Sequence, residues 1–336
     1  MFIPPVEMVQ YVDCAETTIS PLISKELQNR IQTCLPVLLH SGQMYSVSPI
    51  KRGHNDMRNF IVEVEGKKYV LKLLPLEIEE QKALKVLYMI EESSRLQIGP
   101  KVVASSISER AVLMEYIDGP TITPAMAREH AREIGVSMRI MHTSSQNPHT
   151  GSAKHFDDSE RRYRFIQERS NFPGAKEAIE FIRENAPKLS SDCANVHGDL
   201  HPHNLFWTED GFKILDWEFV VWDNPYIDIG RISTSLAFDE TADTLFLEGY
   251  FNGTPTEQQK EQFLLSKKLN YACQVLMCFK ITDLILAQEQ EPLDLTAEPQ
   301  EWSHYMDSFS VATERMPLQF FYDAARCASK KLSSDL

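Results

Sequence analysis

Hydrophobic and polar residues alternate in the first third of the chain in a way that predicts an antiparallel β-sheet. Residues 58–65 (RNFIVEVE) have the pattern of a half-buried strand, Gly66-Lys67 has the composition of a tight turn, and 68–74 (KYVLKLL) is expected to be the partner strand. Two short apolar runs, 100–105 and 111–117, predict further strands. The N-terminal third is therefore expected to contain a sheet.

Helical spacing of apolar residues dominates the rest of the chain. Helices are expected at 76–92, 124–142, 159–186, 226–238, 257–289 and 301–332. A polar segment at 143–158 predicts a loop, and Asp210-Gly211 predicts the turn of a short hairpin. Together the elements predict an α+β fold of two lobes: residues 1–117, with a helical N-terminal extension, carry an antiparallel sheet and one helix, and residues 118–336 are mainly helical.

A polar segment at 196–207 (VHGDLHPHNLFW) interrupts the helical pattern of the second lobe, and 214–219 (ILDWEF) follows it closely. Asp199 and Asn204 are five residues apart in a loop too polar and proline-interrupted to be helical, and Asp216 follows the predicted hairpin. The three side chains can therefore converge. Carboxylate and amide oxygens are ligands that Mg²⁺ prefers. Phosphoryl transfer uses such a cluster to position a hydroxyl, a nucleotide and its metal ions.

The order of these residues resembles the catalytic segments of kinases. Protein kinases carry H-R-D-x-x-x-x-N followed by D-F-G. Here Gly198 stands in place of that arginine, and Trp217-Glu218 stands in place of Phe-Gly. With these replacements the chain resembles the aminoglycoside phosphotransferase and choline kinase superfamily, which has a protein-kinase-like fold. Within that superfamily it most resembles choline/ethanolamine and thiamine kinases.

The resemblance implies a role for each residue of the segment. Asp199 would be the catalytic base toward a substrate hydroxyl, and His197 would brace the catalytic loop. Asn204 and Asp216 would hold Mg²⁺. The later segment 222–230 (WDNPYIDIG) also resembles the family, in which the residue equivalent to Asp228 begins a helix, where an Asp is the expected cap, and supports the loop from behind.

The same resemblance implies an ATP-binding site in the first lobe. Lys72, in the context YVLK, would contact the α and β phosphates, although a solvent-facing lysine on an edge strand would fit the same pattern. Glu77, Glu79 and Glu80 compete to pair with it, and Glu80 has the favoured spacing. The other residues assigned to the nucleotide belong to a phosphate-covering loop or a hinge: Gly53, Asn59, Glu115, Tyr116 and Ile117. An ordinary surface turn is an equally good interpretation of the loop.

Charge and aromatic content bear on the phosphate acceptor. The formal net charge of −14 disfavours binding to nucleic acids and favours cationic small molecules such as choline, thiamine or aminoglycosides. Candidate substrate contacts are carboxylate or aromatic side chains near the hairpin or in the last helix: Glu218, Trp222, Trp302 and Tyr305. Glu218 could face either metal or substrate, and the aromatic residues could instead pack between helices. The sequence thus predicts an ATP- and Mg²⁺-dependent kinase acting on a hydroxyl of a small, cationic molecule.

Other interpretations stay open at this point. A zinc site could use His197, His201 and His203, but Pro202 prevents helical spacing and no cysteine pair lies nearby. An aminoglycoside-type antibiotic phosphotransferase shares the motifs of a choline kinase. A catalytically idle nucleotide-binding protein is a third alternative, because His203 stands where relatives commonly have glycine and could crowd the loop. A protein kinase is disfavoured, since the H-R-D arginine, the D-F-G glycine and an A-P-E segment are missing.

The remaining sequence features concern location. No run reaches transmembrane length, and the N-terminal segment MFIPPVEMVQYVDC has no cationic stretch before an apolar core, as a secretory signal would have. Six cysteines are scattered without C-x-x-C pairs, which predicts reduced thiols. We therefore expect a cytoplasmic protein without a membrane span.

Overall fold

The computed structural model describes residues 18–39, 44–50, 58–151, 155–156, 168, 172–286, 293–312 and 316–334. These residues form two compact units. The first contains the described residues up to Leu87 together with Pro100–Ile117, and the second contains Tyr88–Gly99 together with the described residues from Asp118 onward. The sequence pattern assigns Tyr88–Gly99 to the first lobe, whereas its contacts place it in the second unit.

The first unit is built around a six-stranded sheet in the order β1-β2-β3-β4-β6-β5. Its strands are β1 (Thr18–Ile19), β2 (Tyr45–Pro49), β3 (Asn59–Val64), β4 (Lys67–Leu73), β5 (Val102–Ser106) and β6 (Ala111–Glu115). Neighbouring strands are antiparallel except β1 and β2, which are parallel. The predicted hairpin and the two later strands are present, and their ends differ from the prediction by at most two residues.

The β3–β4 hairpin turns at Glu65-Gly66, one residue earlier than the predicted Gly66-Lys67. Val64 pairs with Lys67, and the two turn residues have φ values of 50° and 77°. Two-residue hairpin loops favour positive φ because this geometry matches the twist of the strands.

Helix α1 (Lys25–Leu39) buries its apolar face in the core of this unit. Ile31 and Leu35 of the helix belong to one buried cluster with Phe60 and Leu71 of the sheet. Burial of such side chains stabilises the unit by roughly 1.5–3 kcal/mol each.

Helix α2 (Glu80–Arg95) begins four residues later and ends three residues later than the predicted 76–92. The Arg110 guanidinium explains the late start. It donates to the carbonyl oxygens of Pro75, Leu76 and Ile78 at 3.2, 2.6 and 2.5 Å. These carbonyls therefore have a side-chain partner instead of the amides of a helical turn.

The second unit is mainly helical. After residue 118 its helices are α3 (Pro124–Glu129), α4 (Ala131–His142), α5 (Ala175–Asn185), α6 (Tyr226–Ser235), α7 (Glu240–Phe251), α8 (Glu257–Leu286), α9 (Trp302–Val311) and α10 (Leu318–Ser333). The predicted helix at 124–142 is divided at His130, which has φ −113° and ψ 22°. The predicted helix at 301–332 is likewise two helices, and α7 has no counterpart in the prediction.

Helix α8 bears on the expectation that no segment reaches transmembrane length. Among the described residues, it is the one helix long and apolar enough to cross a membrane, so the expectation is wrong on length and composition. However, 67% of its most apolar window is buried within the protein. Its side chains share a core cluster with those of α5 and α10, as expected for a central core helix.

A two-stranded antiparallel sheet and a hairpin frame the predicted catalytic segment. β7 (Ala194–Val196) pairs with β10 (Val221–Asp223) in the sheet, and β8 (Leu205–Thr208) pairs with β9 (Gly211–Ile214) in the hairpin. The hairpin turns at Glu209-Asp210, one residue earlier than the predicted Asp210-Gly211, because Thr208 pairs with Gly211. The described chain therefore has the predicted α+β class, with a sheet in the first unit and helices in the second.

Candidate active site

The predicted catalytic loop runs from β7 to β8, and its backbone path depends on a glycine. Gly198 has φ 77°, and a Cβ at this position would lie 3.2 Å from the carbonyl oxygen of Phe219. Both features favour glycine. The loop then passes through a 3₁₀ turn at Pro202–Asn204. This path returns Asn204 to Asp199, since Asn204 Nδ2 donates to the Asp199 carbonyl oxygen at 3.1 Å.

His197 is fully buried and bonds through both ring nitrogens. Nδ1 accepts from the backbone N–H of Asp199 at 3.2 Å, and Nε2 lies 2.9 Å from the carbonyl oxygen of Leu215. Because an amide only donates and a carbonyl only accepts, these bonds require the neutral tautomer with hydrogen on Nε2. His197 therefore connects the loop to the residue before Asp216 and lies away from solvent.

A buried carboxylate on α6 holds the loop backbone. Asp228 accepts from the N–H groups of His197 and Gly198 at 2.7 and 3.0 Å, and its Oδ2 lies 3.2 Å from His142 Nε2. Burial, the largest influence, raises the pKa of the Asp228 carboxyl. His142, His197 and the Gly198 amide together outweigh burial and hold this pKa below its usual value. His142 Nδ1 in turn lies 2.9 Å from the Tyr250 hydroxyl. A chain of buried polar groups thus supports the loop.

Asp228 lies in the first turn of α6 but does not cap that helix, which corrects the predicted cap. Pro225 occupies the N-cap position and makes no side-chain cap bond. The Asp228 carboxylate is directed to the loop amides instead, and those amides belong to another segment of the chain.

Asp199 carries the partly exposed carboxylate at the centre of the loop. Its side chain is 29% exposed, and its Oδ1 accepts from Arg231 Nη2 at 3.2 Å. Its Oδ2 lies 3.6 Å from His201 Nε2. This second contact is not ionic at neutral pH, because burial lowers the pKa of His201 to about 4. One carboxylate oxygen is therefore held by a guanidinium, and the other faces a neutral imidazole.

The β8–β9 hairpin brings Asn204 and Asp216 close together. Leu205 pairs with Ile214, and the Leu215 N–H donates to the Asn204 carbonyl oxygen at 2.9 Å. Asp216 follows with φ 66° and ψ 66°, a left-handed backbone that is uncommon for a residue other than glycine. Such conformations are concentrated at functional sites.

The chemistry of these side chains fits Mg²⁺. Asn204 uses Nδ2 as a donor within the loop, which leaves Oδ1 as its acceptor atom. Asp216 adds a half-buried carboxylate. Within the described residues, no group of three or more His, Cys, Asp or Glu side chains could hold a metal ion by itself. An amide and a carboxylate suit Mg²⁺ because that ion commonly completes its shell with water and nucleotide phosphates.

Two of the three histidines proposed for zinc have other partners. His197 bonds Leu215, and His203 Nε2 lies 2.7 Å from the carbonyl oxygen of Phe309. The His203 and Phe309 rings are also stacked, with centroids 4.5 Å apart. These contacts use the nitrogens that a zinc ion would need.

In the first unit, the β3–β4 hairpin places Asn59 directly opposite Lys72. Lys72 is only 6% exposed, so the alternative of a solvent-facing edge lysine is wrong; β4 also has neighbours on both sides. A buried ammonium requires oxygen partners. Glu80 is the exposed first residue of α2, and its pairing with Lys72 stays a prediction. Gly53 lies outside the described residues.

The predicted hinge follows β6. The N–H groups of Glu115 and Tyr116 donate to the carbonyl oxygens of Lys101 and Lys68 at 2.8 and 3.3 Å. These two amides are therefore hydrogen-bonded within the sheet and do not point to a base. They are thereby removed from the predicted main-chain contacts with adenine. Ile117, the next residue, is half-buried.

The four candidate acceptor contacts divide into two pairs. Glu218 and Trp222 are half-buried and flank the loop segment, in the 3₁₀ turn after Asp216 and in β10. Trp302 and Tyr305 are 3% and 4% exposed. Trp302 Nε1 donates to the Thr234 carbonyl oxygen at 2.6 Å. The prediction that Trp302 and Tyr305 contact substrate is therefore wrong, because the helical spacing that suggested a cage serves core packing.

Sequence reasoning missed two residues of this cluster, Arg231 and His142. Arg231 is three residues after Asp228 on α6, a spacing that places both on one helix face. The spacing of three residues from Asp228 is the sequence signal that points to Arg231. His142 is more than fifty residues from the loop in sequence, and only the fold brings it to Asp228.

Comparison with known proteins identifies the family to which the chain belongs. The model of the phosphotransferase enzyme family (APH) matches residues 46–263. A search of curated protein sequences finds no significant match.

Several solved structures share the fold over most of both chains. A choline/ethanolamine kinase family protein from Mesorhizobium loti has a TM-score of 0.60 and 16% identity, covering 90% of this chain and 99% of that one. Choline kinase LicA from Streptococcus pneumoniae has a TM-score of 0.57 and 18% identity, covering 85% and 98%. Spectinomycin phosphotransferase has a TM-score of 0.57 and 14% identity, covering 92% and 100%.

At these identities the likeness shows the fold, and the predicted kinase-like α+β class is confirmed. The family model adds the sequence evidence, because it spans well over half of the chain and includes Lys72, Asp199 and Asp216. The chain therefore belongs to the phosphotransferase enzyme family (APH).

Proposed function

We propose that this protein is an ATP- and Mg²⁺-dependent kinase that transfers the γ-phosphate to a hydroxyl of a small cationic molecule, of the choline/ethanolamine or thiamine type. The arrangement around Asp199 carries the proposal. Its carboxylate is 29% exposed on a loop that His197 and Asp228 hold from buried positions. A rigid loop with one accessible carboxylate is what a general base requires.

In the proposed reaction, Asp199 accepts the proton of the substrate hydroxyl. The electron pair of the hydroxyl oxygen forms the new bond to the γ-phosphorus. The bond from that phosphorus to its bridging oxygen breaks, and its electron pair leaves with ADP. Because the acceptor oxygen attacks directly, no phosphoenzyme forms. Positioning supplies most of the catalysis in such a transfer, which is why the buried supports of the loop matter.

Four residues are candidates to hold ATP and its Mg²⁺. We assign Lys72, with Asn59 opposite it, to the α and β phosphates, and Asn204 and Asp216 to Mg²⁺. When bound, Mg²⁺ neutralises charge on the β and γ phosphates. Structures similar to this chain include complexes with AMP and with ADP, which supports nucleotide use.

The acceptor site is proposed beside the loop in the second unit. Glu218 offers a carboxylate and Trp222 an aromatic ring. Phe219 adds a side chain that is 49% exposed, and its Cβ lies 3.7 Å from where a Cβ on Gly198 would be. Aromatic faces next to a carboxylate attract quaternary or protonated amines. The net charge of −14 favours the same class of acceptor.

A coupled ADP-release assay tests this function. Purified protein with Mg²⁺ and ATP is offered choline, ethanolamine, thiamine and aminoglycosides, and we expect turnover with one cationic alcohol of the first three. Asp199→Asn should lower kcat by about 10²-fold or more, while Mg²⁺-ATP binding persists because the nucleotide contacts are unchanged. Asp210→Asn, an exposed carboxylate in the β8–β9 turn, is the matched control and should keep normal turnover.

Each alternative outcome has a distinct meaning. Unchanged turnover in Asp199→Asn would remove Asp199 as the base. Turnover with an aminoglycoside alone would favour an antibiotic phosphotransferase. Stabilisation by Mg²⁺-ATP without transfer to any hydroxyl compound would favour a catalytically idle nucleotide-binding protein.

A further inference from the structure

The helix α6 contacts the catalytic loop at two points. Asp228 accepts from the backbone amides of His197 and Gly198, and Arg231, three residues later, donates to the side chain of Asp199. Residues three apart lie on one face of a helix. A single rigid element therefore fixes the backbone of the loop and also one oxygen of the proposed base.

Arg231 approaches Asp199 from the buried side. The Arg231 side chain is 9% exposed and that of Asp199 is 29% exposed, so the arginine is the more buried partner of the pair. Within the described part of the chain, Arg231 Nε is buried without a hydrogen-bond partner. Burial removes the guanidinium from water, which costs free energy. The bond from Nη2 to Asp199 Oδ1 offsets part of that cost.

The two oxygens of Asp199 are in different surroundings. Oδ1 is bonded to Arg231 at 3.2 Å, whereas Oδ2 is 3.6 Å from His201 Nε2, which is beyond hydrogen-bond distance. An oxygen that already accepts from a guanidinium is a poorer proton acceptor than one that does not. Oδ1 is therefore the oxygen that holds the carboxylate in place, and Oδ2 is the oxygen that would accept the proton.

We infer that Arg231 is a positioning residue for the transfer reaction, which holds Asp199 Oδ1 and thereby presents Oδ2 to the acceptor hydroxyl. The inference rests on the proposed function. Arg231 contacts the base and would not touch substrate or nucleotide. It therefore sets the orientation of the carboxylate, and a displacement of about 1 Å in such a group costs roughly 10²-fold in rate.

Arg231→Met and Arg231→Lys test this role in the ADP-release assay. Methionine keeps much of the side-chain volume without the charge, and kcat is expected to fall about 10- to 100-fold, while KM for ATP changes by less than about threefold. Lysine retains a charge but not the planar fork. It should therefore restore part of the lost kcat.

Arg128→Met is the matched control. Arg128 is a half-buried arginine of the same unit, and its Nη1 donates to the Ala237 carbonyl oxygen at 3.2 Å, away from Asp199. This variant should keep a normal kcat. A double-mutant cycle in thermal stability with Asp199→Asn provides a second measurement, and the two changes should be non-additive because they remove one ion pair.

Two results would overturn the inference: a kcat for Arg231→Met within about twofold of wild type, or an equal loss of kcat in Arg128→Met. In either case turnover by the wild type and its loss in Asp199→Asn would leave the proposed function intact. Absence of ADP release from the wild type with every acceptor overturns both.

Discussion

Asp228 holds the backbone of the predicted catalytic loop. One carboxylate meets two backbone amides and the His142 imidazole, at a position with no exposure to solvent. His203, the residue that raised the alternative of a crowded loop, stacks its ring on Phe309 and has Nε2 2.7 Å from the Phe309 carbonyl oxygen. These contacts attach the loop to α9.

Asp228→Asn tests the support of the loop. We expect the second unit to lose about 3 kcal/mol of unfolding free energy near pH 7, because the buried His142 and loop amides lose a charged acceptor. The pKa of Asp228 is lowered on folding, so this stability is present above the ordinary Asp value of about 3.9 and is lost as pH falls through the folded pKa.

Denaturant unfolding of wild type and Asp228→Asn across pH measures this difference. The two proteins should approach equal stability in acid. Asp307→Asn, an exposed carboxylate on α9, is the control and should match wild type throughout. A constant difference at every pH would mean that the charge of Asp228 is not the cause.

At the scale of elements, the loop supports depend on close helix packing. Helices α4 and α7 approach through two glycines, where a Cβ on Gly135 would lie 2.1 Å from the Phe246 carbonyl oxygen and one on Gly249 would lie 2.1 Å from that of Arg132. This approach carries His142 of α4 to Tyr250 of α7. The unpredicted helix α7 is thus part of the framework behind the loop.

Gly135→Ala should force the two helices apart. The methyl group would meet backbone atoms that cannot rotate away, and we expect a loss of about 1–3 kcal/mol in stability together with lower turnover, as the His142–Tyr250 bond lengthens. Thermal unfolding and the ADP-release assay measure the two effects. Gly151→Ala is the control, since a Cβ there has nothing within 4 Å. Equal stability of the two variants would contradict the tight packing.

At the scale of the whole molecule, charge and ligand binding act together. Arg231 already balances Asp199, so attraction of a cationic acceptor falls to other carboxylates and to the net charge of −14. Any ligand that binds only the folded state stabilises it, and Mg²⁺-ATP is the ligand expected here.

Mg²⁺-ATP should therefore raise the Tm, with a stabilisation of about 2.7 kcal/mol at a hundredfold excess over Kd. Asp216→Asn should reduce the Mg²⁺-dependent part of this shift, because an amide is a weaker ligand than a carboxylate. Thermal scans with ATP, with and without Mg²⁺, separate the two contributions. A shift in Asp216→Asn equal to that of wild type would contradict its assignment as a metal ligand.

Local patterns were sufficient for the β3–β4 hairpin and for the position of the candidate catalytic segment. Alternation predicted the β3–β4 hairpin to within a residue, and the β8–β9 register places Asn204 beside Leu215, the residue before Asp216, as the spacing of these residues predicted. These features depend on residues close in sequence, whose geometry the backbone restricts. The two turns were each placed one residue late, since positive φ at Glu65 and the start of β9 at Gly211 depend on strand register.

Only the tertiary structure decided which side chains face the loop and which face the core. Trp302 and Tyr305 have the composition of a ligand cage but are buried by neighbouring helices, whereas Arg231 and His142 have no distinguishing motif and lie against Asp199 and Asp228. The reason is physical. Helical spacing fixes which residues share a face, but what that face meets depends on elements distant in sequence.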